Sequence, residues 1–177
     1  MNSFCYDESM PLGTDYAGQD CSVARALEVV GERWTLLVVR DLFYGIRRYN
    51  DLRKHIGLPP ATLTDRLNQL IGHGVVERVA GEGARDEYQL TAKGQALWPI
   101  IYGLAQWGGE NYVRPENRMR YSHRVDGGRI SPQGVCAECG AMPVASDIVI
   151  QKVSAGATDP FSVALREPHR LLEPLRS

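Results

Sequence analysis

Glycines divide the first half of the chain into short segments, each with apolar residues at helical spacing. The segments end at Gly31, Gly45, Gly57 and the "GHG" of residues 72–74. In the fourth segment, Leu63, Leu67 and Leu70 recur three and four positions apart, which is typical of an amphipathic helix. A glycine just after such a stripe is a common helix stop. The pattern therefore predicts four short helices in succession over residues 21–74.

Two strands and a further helix are predicted after the fourth helix. "VVERVAG" and "EYQLT" flank "EGARD", which is typical of a hairpin with a glycine at its tip. Thr91 can then cap a long amphipathic helix, "AKGQALWPIIYGLAQWGGENYV", which Pro99 should kink or reset. Three of these short helices, the hairpin wing and the closing helix describe a winged helix-turn-helix. The predicted fold class is α+β and mostly helical.

The composition changes at both ends of this module. Residues 1–20 carry four acidic and no basic side chains, whereas residues 21–113 have a net charge of +1 and residues 114–177 of +2. The last segment is rich in proline, glycine and arginine, with a predicted hairpin around Asp126-Gly127, a strand in "SDIVIQKVS", and a short helix or frayed tail at its end. We therefore expect an acidic arm (1–20), a winged-helix domain (21–113) and a small β-rich C-terminal extension (114–177).

The chain has neither of the sequence signals that would direct it to a membrane or to secretion. It contains no run of about 18 apolar residues, and its first residues lack the basic start of a secretory signal. We therefore expect a cytoplasmic protein in which the four cysteines stay reduced unless they sense or bind something.

Several motifs in residues 21–108 occur in a family-specific order. "CSVARALEVVGERWTLLVVRDLFYGIRRYNDLRKHIGLPPATLTDRLNQLIGHGVVER", then "EYQLTAKGQAL" and "LAQWG", resembles the HxlR-type branch of the MarR-like bacterial transcription regulators. The resemblance implies a homodimeric winged helix that binds an operator in double-stranded DNA, commonly as a repressor that responds to a redox or small-molecule signal. Residues 21–113 would then be the DNA-binding and dimerisation domain.

The outer face of the fourth helix has the side chains that such binding requires. Because its leucine stripe must face the core, a rotation of ~100° per residue turns small polar side chains outward. The major groove accommodates a helix with such a face. The predicted DNA contacts of this helix are Pro60, Ala61, Thr62, Thr64, Asp65, Arg66 and Gln69.

Phosphate contacts are predicted from cations around this helix, because its own charges cancel. The candidates are Arg47, Arg48 and Arg53 in the third helix and Arg85 in the wing. Contacts of this kind supply affinity without sequence information. A polar helix face and scattered arginines also occur on plain solvated helices, and the order of the elements is what favours DNA.

Asp65 does not fit a phosphate-binding face, because a carboxylate repels phosphates. In one interpretation, it is the intramolecular partner of Arg48, Arg53 or Arg66. In the other, it accepts a hydrogen bond from a cytosine amino group or orients a neighbouring arginine. The resemblance implies an uncharged polar residue at this position, so the operator sequence of a relative does not transfer directly.

Cys21 begins the first predicted helix, where the partial positive charge of a helix N-terminus favours a thiolate. The resemblance marks this position as a sensor of oxidants or electrophiles in some family members. Asp20 opposes the thiolate, and a half-buried thiol that packs as a small hydrophobic residue is the alternative. Cys5 is the candidate disulfide partner, within or between subunits.

Cys136 and Cys139, in "CAECG", have the spacing of a zinc knuckle. A closed tetrahedral zinc site requires four ligands, and the sequence contains no second CxxC. The set would have to be completed by His123, His169, Cys5 or the cysteines of a second subunit. A disulfide switch and a pair of plain thiols are the alternatives, so zinc is the one cofactor that the sequence suggests.

The first and last helices of the module carry more apolar surface than one small core uses, which predicts a homodimer. A pocket between the aromatic last helix, with Trp98, Tyr102 and Trp107, and the DNA-binding core is the predicted effector site. The alternative function is a protein-interaction module without DNA binding. No nucleophile–base arrangement, phosphate loop or paired carboxylates stand out, so we expect no catalytic residues and no enzyme.

Overall fold

A computed structural model gives the fold, and it describes residues 16, 20–81, 85–152 and 158–175. The helices in these ranges are α1 (Ser22–Val30), α2 (Thr35–Phe43), α3 (Tyr49–Ile56), α4 (Pro60–Gly72), α5 (Ala92–Gln95), α6 (Trp98–Tyr112) and α7 (Pro160–Ala164). The strands are β1 (Val76–Ala80), β2 (Asp86–Leu90), β3 (Met119–His123), β4 (Ile148–Lys152) and β5 (His169–Arg170). The α+β, mostly helical fold is confirmed. Among the described residues, no helix has the length and apolarity needed to cross a bilayer.

The helix-turn-helix of α3 and α4 forms where the sequence predicts it. Gly57 closes α3 in the left-handed region with φ of +78°, which glycine adopts without the steric cost of a Cβ. Pro60 occupies the first turn of α4, where a missing N–H leaves no hydrogen bond unmade. Leu63 and Leu67 are buried and fix which face of α4 points inward.

The wing consists of β1 and β2, which pair antiparallel from Val76↔Leu90 to Ala80↔Asp86. Its tip, with Glu82, lies outside the described residues. The N–H of Tyr88 donates to the carbonyl of Arg47 at 2.8 Å, so β2 is joined to the connection between α2 and α3. This bond positions the wing beside the helix-turn-helix.

The segment after the wing divides into two helices. Thr91 caps the first, α5, because its Oγ1 accepts a hydrogen bond from the N–H of Gly94 at 3.2 Å. The helix α6 then starts anew at Trp98 with Pro99 in its first turn. The predicted cap at Thr91 and the predicted reset at Pro99 are both confirmed.

The C-terminal extension is a three-stranded antiparallel sheet in the order β3-β4-β5. The predicted strand in "SDIVIQKVS" is confirmed as β4, whose Ile148 and Ile150 are buried. Tyr121 of β3 packs edge-to-face on Tyr102 of α6, with ring centroids 4.9 Å apart. The extension therefore shares a hydrophobic core with the winged helix.

The last residues differ from both sequence expectations. Residues 168–175, the described part of this segment, form neither a short helix nor a frayed tail. After β5, the N–H groups of Leu172 and Leu175 donate to the carbonyls of Phe43 and Gly45. Sequence patterning also gave no sign of α7, a five-residue helix capped by the Asp159 side chain. The C-terminal segment depends on contacts with distant parts of the chain, whereas the cap of α7 is local.

One carboxylate is fully buried where α2 meets α3. Asp41 accepts hydrogen bonds from the guanidinium of Arg40 at 2.6 and 2.8 Å and lies 2.7 Å from Nδ1 of His55. A buried carboxylate without partners costs several kcal/mol. Its two neighbours compensate this cost, and the three side chains hold α2 and α3 at a fixed distance.

We expect Asp41→Asn to lower the free energy of unfolding by about 3 kcal/mol, because it leaves Arg40 without its buried counter-charge. Urea denaturation followed by circular dichroism measures this. Glu77→Gln, an exposed residue of β1, is the matched control and should change stability by less than about 0.5 kcal/mol. Equal stability of the two variants would show that Asp41 does not stabilise the fold.

Candidate nucleic-acid interface and cysteine sites

The exposed face of α4 is the one that its leucine stripe predicts. Thr64, Asp65 and Gln69 are exposed, and Pro60 and Ala61 lie exposed at the start of the helix. Thr62 is half-buried and contributes only at the margin of this face. The helix therefore presents hydroxyl, carboxylate and amide groups outward, which are groups that can pair with base edges.

Tyr49, at the start of α3, positions this face. Its hydroxyl donates to the carbonyl of Pro60 at 2.8 Å and lies 3.0 Å from Oγ1 of Thr64. The side chain therefore joins the first turns of α3 and α4 and holds the Thr64 hydroxyl. No local sequence pattern indicates this role of Tyr49, because its partners lie on the next helix.

Arg66 does not lie on the outer face as predicted. Its side chain is only 15% exposed, and Nη1 lies 3.2 Å from a carboxylate oxygen of Glu32 in the α1–α2 turn. This ion pair turns the guanidinium away from the exposed polar groups. We therefore expect Arg66 to stabilise the module and not to contact DNA.

Asp65 has no ion-pair or hydrogen-bond partner within the described part of the chain. Of the three proposed arginine partners, Arg66 pairs with Glu32, and Nε of Arg48 lies 3.5 Å from Glu87. The intramolecular interpretation therefore finds no support in these residues. The carboxylate of Asp65 is left exposed to whatever this face contacts.

The predicted phosphate-binding arginines fall into two groups. Arg47 and Arg48 have intramolecular partners, since Nη2 of Arg47 donates to the carbonyl of Leu172 at 2.5 Å and Arg48 pairs with the wing. Arg53, half-buried on α3, and Arg85, exposed at the base of the wing, have no such partner in the described residues. The second group is available to phosphates without breaking an internal contact.

Cys21 lies at the N-cap of α1 and is exposed. The nearby backbone N–H groups of Ala24 and Val23 lower the pKa of this thiol. A lowered pKa raises the thiolate fraction at neutral pH, and the thiolate is the reactive form. Its predicted partner Cys5 lies outside the described residues.

Cys136 and Cys139 meet two further polar side chains in the extension. His123 ends β3, Asp126 lies in the turn that follows, and one ligand atom from each of the four residues falls within 4.8 Å of every other. Hydrogen bonds from the Cys139 thiol and the Gly128 N–H hold the pKa of Asp126 well below its usual range.

The ligand set at the two cysteines differs in part from the prediction. Of the proposed completing residues, His123 belongs to the cluster, whereas His169 lies on β5 and Cys5 is outside the described residues. Sequence reasoning missed Asp126, although its spacing of three from His123 was a usable signal. The two sulfurs are free and unpaired with each other.

A cavity of about 820 Å³ lies between α2, α6 and the extension. It is lined by Leu36 of α2, by Tyr44 just after that helix, by Leu104 of α6, and by Arg118 and Arg129 of the extension. It lies beside α6 and α2, as predicted for the effector pocket, but its lining does not include Trp98, Tyr102 or Trp107. The mixed apolar and cationic lining suits a ligand with an apolar body and a negative charge.

Known proteins resemble this chain in sequence and in fold. Residues 29–117 match the HxlR-like helix-turn-helix family. Rv3095, an HTH-type transcriptional regulator of Mycobacterium tuberculosis, is 43% identical over 122 residues, which cover 67% of this chain and 77% of Rv3095. YdeP, an HTH-type transcriptional regulator of Bacillus subtilis, is 32% identical over 121 residues, which cover 65% of this chain and 94% of YdeP.

A solved structure agrees with these sequence matches. The crystal structure of PA1607, described as a candidate transcription factor, has a TM-score of 0.59 to this chain at 38% identity, and the match covers 77% of this chain and 95% of that one. The matched family, the two relatives and the winged-helix geometry agree with one another. The chain belongs to the HxlR-like helix-turn-helix family of transcriptional regulators.

Proposed function

We propose that the protein is a homodimeric repressor that binds an operator in double-stranded DNA through α4 and responds to a redox or small-molecule signal. The observation that carries this proposal is the outer face of α4, where Thr64, Asp65 and Gln69 stand exposed on a helix fixed by its buried leucines. A helix of this kind enters the major groove with its polar face toward the bases. Repression is the sign that the family resemblance implies.

Affinity and sequence preference come from different side chains in this proposal. The exposed side chains of α4 read base edges, and Arg53 and Arg85 contact phosphates on either side of the groove. Arg47 and Arg48 support the surface through their bonds to Leu172 and Glu87. The division follows the general rule that phosphate contacts position a protein and base contacts give specificity.

A second copy of the chain is the proposed occupant of the apolar faces of α1 and α6. Val23 and Leu27 of α1 are exposed, as are Ile100, Leu104 and Trp107 of α6. These side chains lie on the stripes that the sequence predicted to be apolar, yet the described chain leaves them uncovered. A two-fold dimer would bury them and place two α4 helices at half-sites about one DNA turn apart.

Two features support a response to a signal. Cys21 has a lowered pKa and lies at the N-cap of α1, one of the two helices of the proposed dimer interface. The cavity is lined by Leu104 of α6, the other helix. Oxidation of the thiol or a ligand in the cavity would therefore act on the interface that sets the spacing of the two α4 helices.

We expect variants of the DNA-binding surface to fall into two kinds. Gln69→Ala and Asp65→Asn should reorder the preferred sequences selected from a random DNA pool, because they change groups that meet base edges. Arg85→Ala should weaken binding to all sequences and reduce the slope of log affinity against log salt by about 1 for each phosphate that the variant no longer neutralises. Fluorescence anisotropy at several salt concentrations measures both effects.

The control is Arg114→Ala, which removes an exposed arginine after α6 and should leave affinity and salt slope unchanged. The DNA flanking the protein's own coding sequence is a second probe. If the folded wild-type dimer showed no salt-dependent binding to either DNA, the protein-interaction module would be the better function.

We expect Leu104→Asp to convert the dimer into a monomer, because it places a charge in the centre of the exposed stripe of α6. Sedimentation velocity measures the assembly state, and DNA affinity should fall by on the order of 100-fold when the two sites act separately. Val163→Asp, at a similarly exposed apolar residue of α7, is the matched control and should remain dimeric. A wild-type chain that sediments as a monomer at micromolar concentration would contradict the proposed interface.

We expect iodoacetamide to alkylate Cys21 faster in the folded protein than in the urea-unfolded chain at pH 7. The sign follows from the pKa, which the backbone N–H groups of Ala24 and Val23 lower only when α1 is formed. Peptide mass spectrometry resolves Cys21 from the other cysteines and gives its rate as a function of pH. Equal rates in the two states would argue against thiolate-based sensing at this position.

A further inference from the structure

The extension contains a long connection with little core of its own. Between β3 and β4, residues 124–147 have no helix or strand longer than a three-residue 3-10 turn. The buried residues within this stretch are Gly128, Ile130, Cys136 and Ala145. Irregular segments of this length inside a compact fold are uncommon, and small segments with few buried apolar side chains usually require a disulfide or a metal.

Four chemically matched side chains converge within this connection. His123 and Cys136 are buried, whereas Asp126 and Cys139 lie on the exposed side. Sγ of Cys139 lies 3.4 Å from Nδ1 of His123, Nδ1 of His123 lies 3.2 Å from Oδ2 of Asp126, and Sγ of Cys136 lies 3.6 Å from that oxygen.

These separations correspond to the edges of a zinc tetrahedron. With zinc–sulfur bonds of about 2.3 Å and zinc–nitrogen or zinc–oxygen bonds of about 2.0 Å, neighbouring ligand atoms lie about 3.3–3.8 Å apart. Two sulfurs, one imidazole nitrogen and one carboxylate oxygen also form a donor set that zinc prefers over magnesium or calcium. Three of the six edges and the ligand types therefore fit this ion, and all four ligand atoms lie within 4.8 Å of one another.

The backbone around the cluster is built to hold the four side chains together. Gly128 donates its N–H to Oδ1 of Asp126 at 2.8 Å, and a Cβ added at Gly128 would lie 2.4 Å from Sγ of Cys136. Only glycine therefore allows this backbone to pass beneath the sulfur. After the second cysteine, Gly140 takes a φ of +71° and donates to the carbonyl of Cys136 at 3.0 Å, which closes the CxxC turn.

We propose that His123, Asp126, Cys136 and Cys139 bind one zinc ion that has a structural role in the extension. Four protein ligands close the tetrahedron and leave no position for a substrate or a reactive water, as in structural zinc sites. The exposed ligands, Asp126 and Cys139, give the ion a path from solvent. Zinc binding supplies the folding free energy that the sparse core of residues 124–147 does not.

The proposed zinc site lies next to the cavity between α2, α6 and the extension. Ser131 and Ala137, in the loop that the zinc would close, are part of the cavity wall. The hydroxyl of Tyr102, whose pKa burial raises to about 12, stays protonated and donates to the Ser131 carbonyl at 2.9 Å. The ion would therefore stabilise a loop that Tyr102 of α6 also holds at Ser131.

Metal analysis of the full-length chain tests the site. The protein is reduced, stripped with a chelator, given Zn²⁺ and freed of unbound metal, and zinc is measured by mass spectrometry. We expect one zinc per chain in the wild type and in Cys21→Ser, the matched control, and a loss of retained zinc in Cys136→Ser and Cys139→Ser. Failure of the reduced wild type to retain zinc, or full retention by Cys139→Ser, overturns the proposal.

Cobalt substitution keeps the test decisive if Cys136→Ser does not fold. Co²⁺ added to the stripped wild type should give the intense visible bands of tetrahedral coordination and a thiolate-to-metal charge-transfer band. Asp126→Asn, on the exposed side, should shift these bands and weaken cobalt affinity. A spectrum without thiolate charge transfer, or a Cys136–Cys139 disulfide that excludes metal from the purified protein, contradicts a zinc site.

Discussion

The fold depends on the compensation of one buried negative charge. Asp41 is fully buried, and its carboxylate is compensated by Arg40 on the same helix and by His55 on α3. His55 also packs edge-to-face on Phe161 of α7 and lies 3.8 Å from the carboxylate of Asp159. A charge at this depth is tolerated only if its partners remain in place. The relative positions of α2, α3 and α7 are therefore coupled, and the helix-turn-helix cannot shift without disturbing the C-terminal extension.

A second contact joins the same two parts of the chain through the backbone. Gly45 adopts a φ of +83°, and a Cβ there would overlap the carbonyl of Glu173. The absence of a side chain allows the C-terminal segment to lie directly on the end of α2, where the N–H of Leu175 donates to Gly45 and the carbonyl of Leu172 accepts from Arg47. The extension is therefore attached immediately before α3. A conformational change in the extension would therefore reach α3, and with it the proposed DNA-binding surface, through only a few contacts.

Helix boundaries and helix faces that depend on neighbouring residues can be predicted from the sequence. Side-chain pairs that join distant residues cannot. The stop at Gly57, the reset at Pro99 and the inward face of α4 depend on residues within a few positions, and all three are confirmed. The partner of Arg47 is 125 residues away, so no local pattern distinguishes it from a free phosphate-binding arginine. The same holds for Arg66, whose partner lies before α2. Long-range pairing decides which cations remain available, and periodicity contains no information about it.

The position of Arg66 alters the electrostatics of the recognition helix. In the sequence, Asp65 and Arg66 cancel, but the structure turns the arginine toward Glu32 and leaves the aspartate exposed alone. The outer face of α4 is then negative, and its approach to a polyanion is unfavourable unless neighbouring cations and a specific base contact compensate. A carboxylate can accept from the amino group of cytosine or, beside the N7 acceptor, from that of adenine, whereas the acceptor atoms of guanine and thymine repel it. In the proposed complex, Asp65 would weaken binding to DNA in general but sharpen discrimination between sequences. The proposed dimer would compensate the weaker binding because it doubles the cationic contacts.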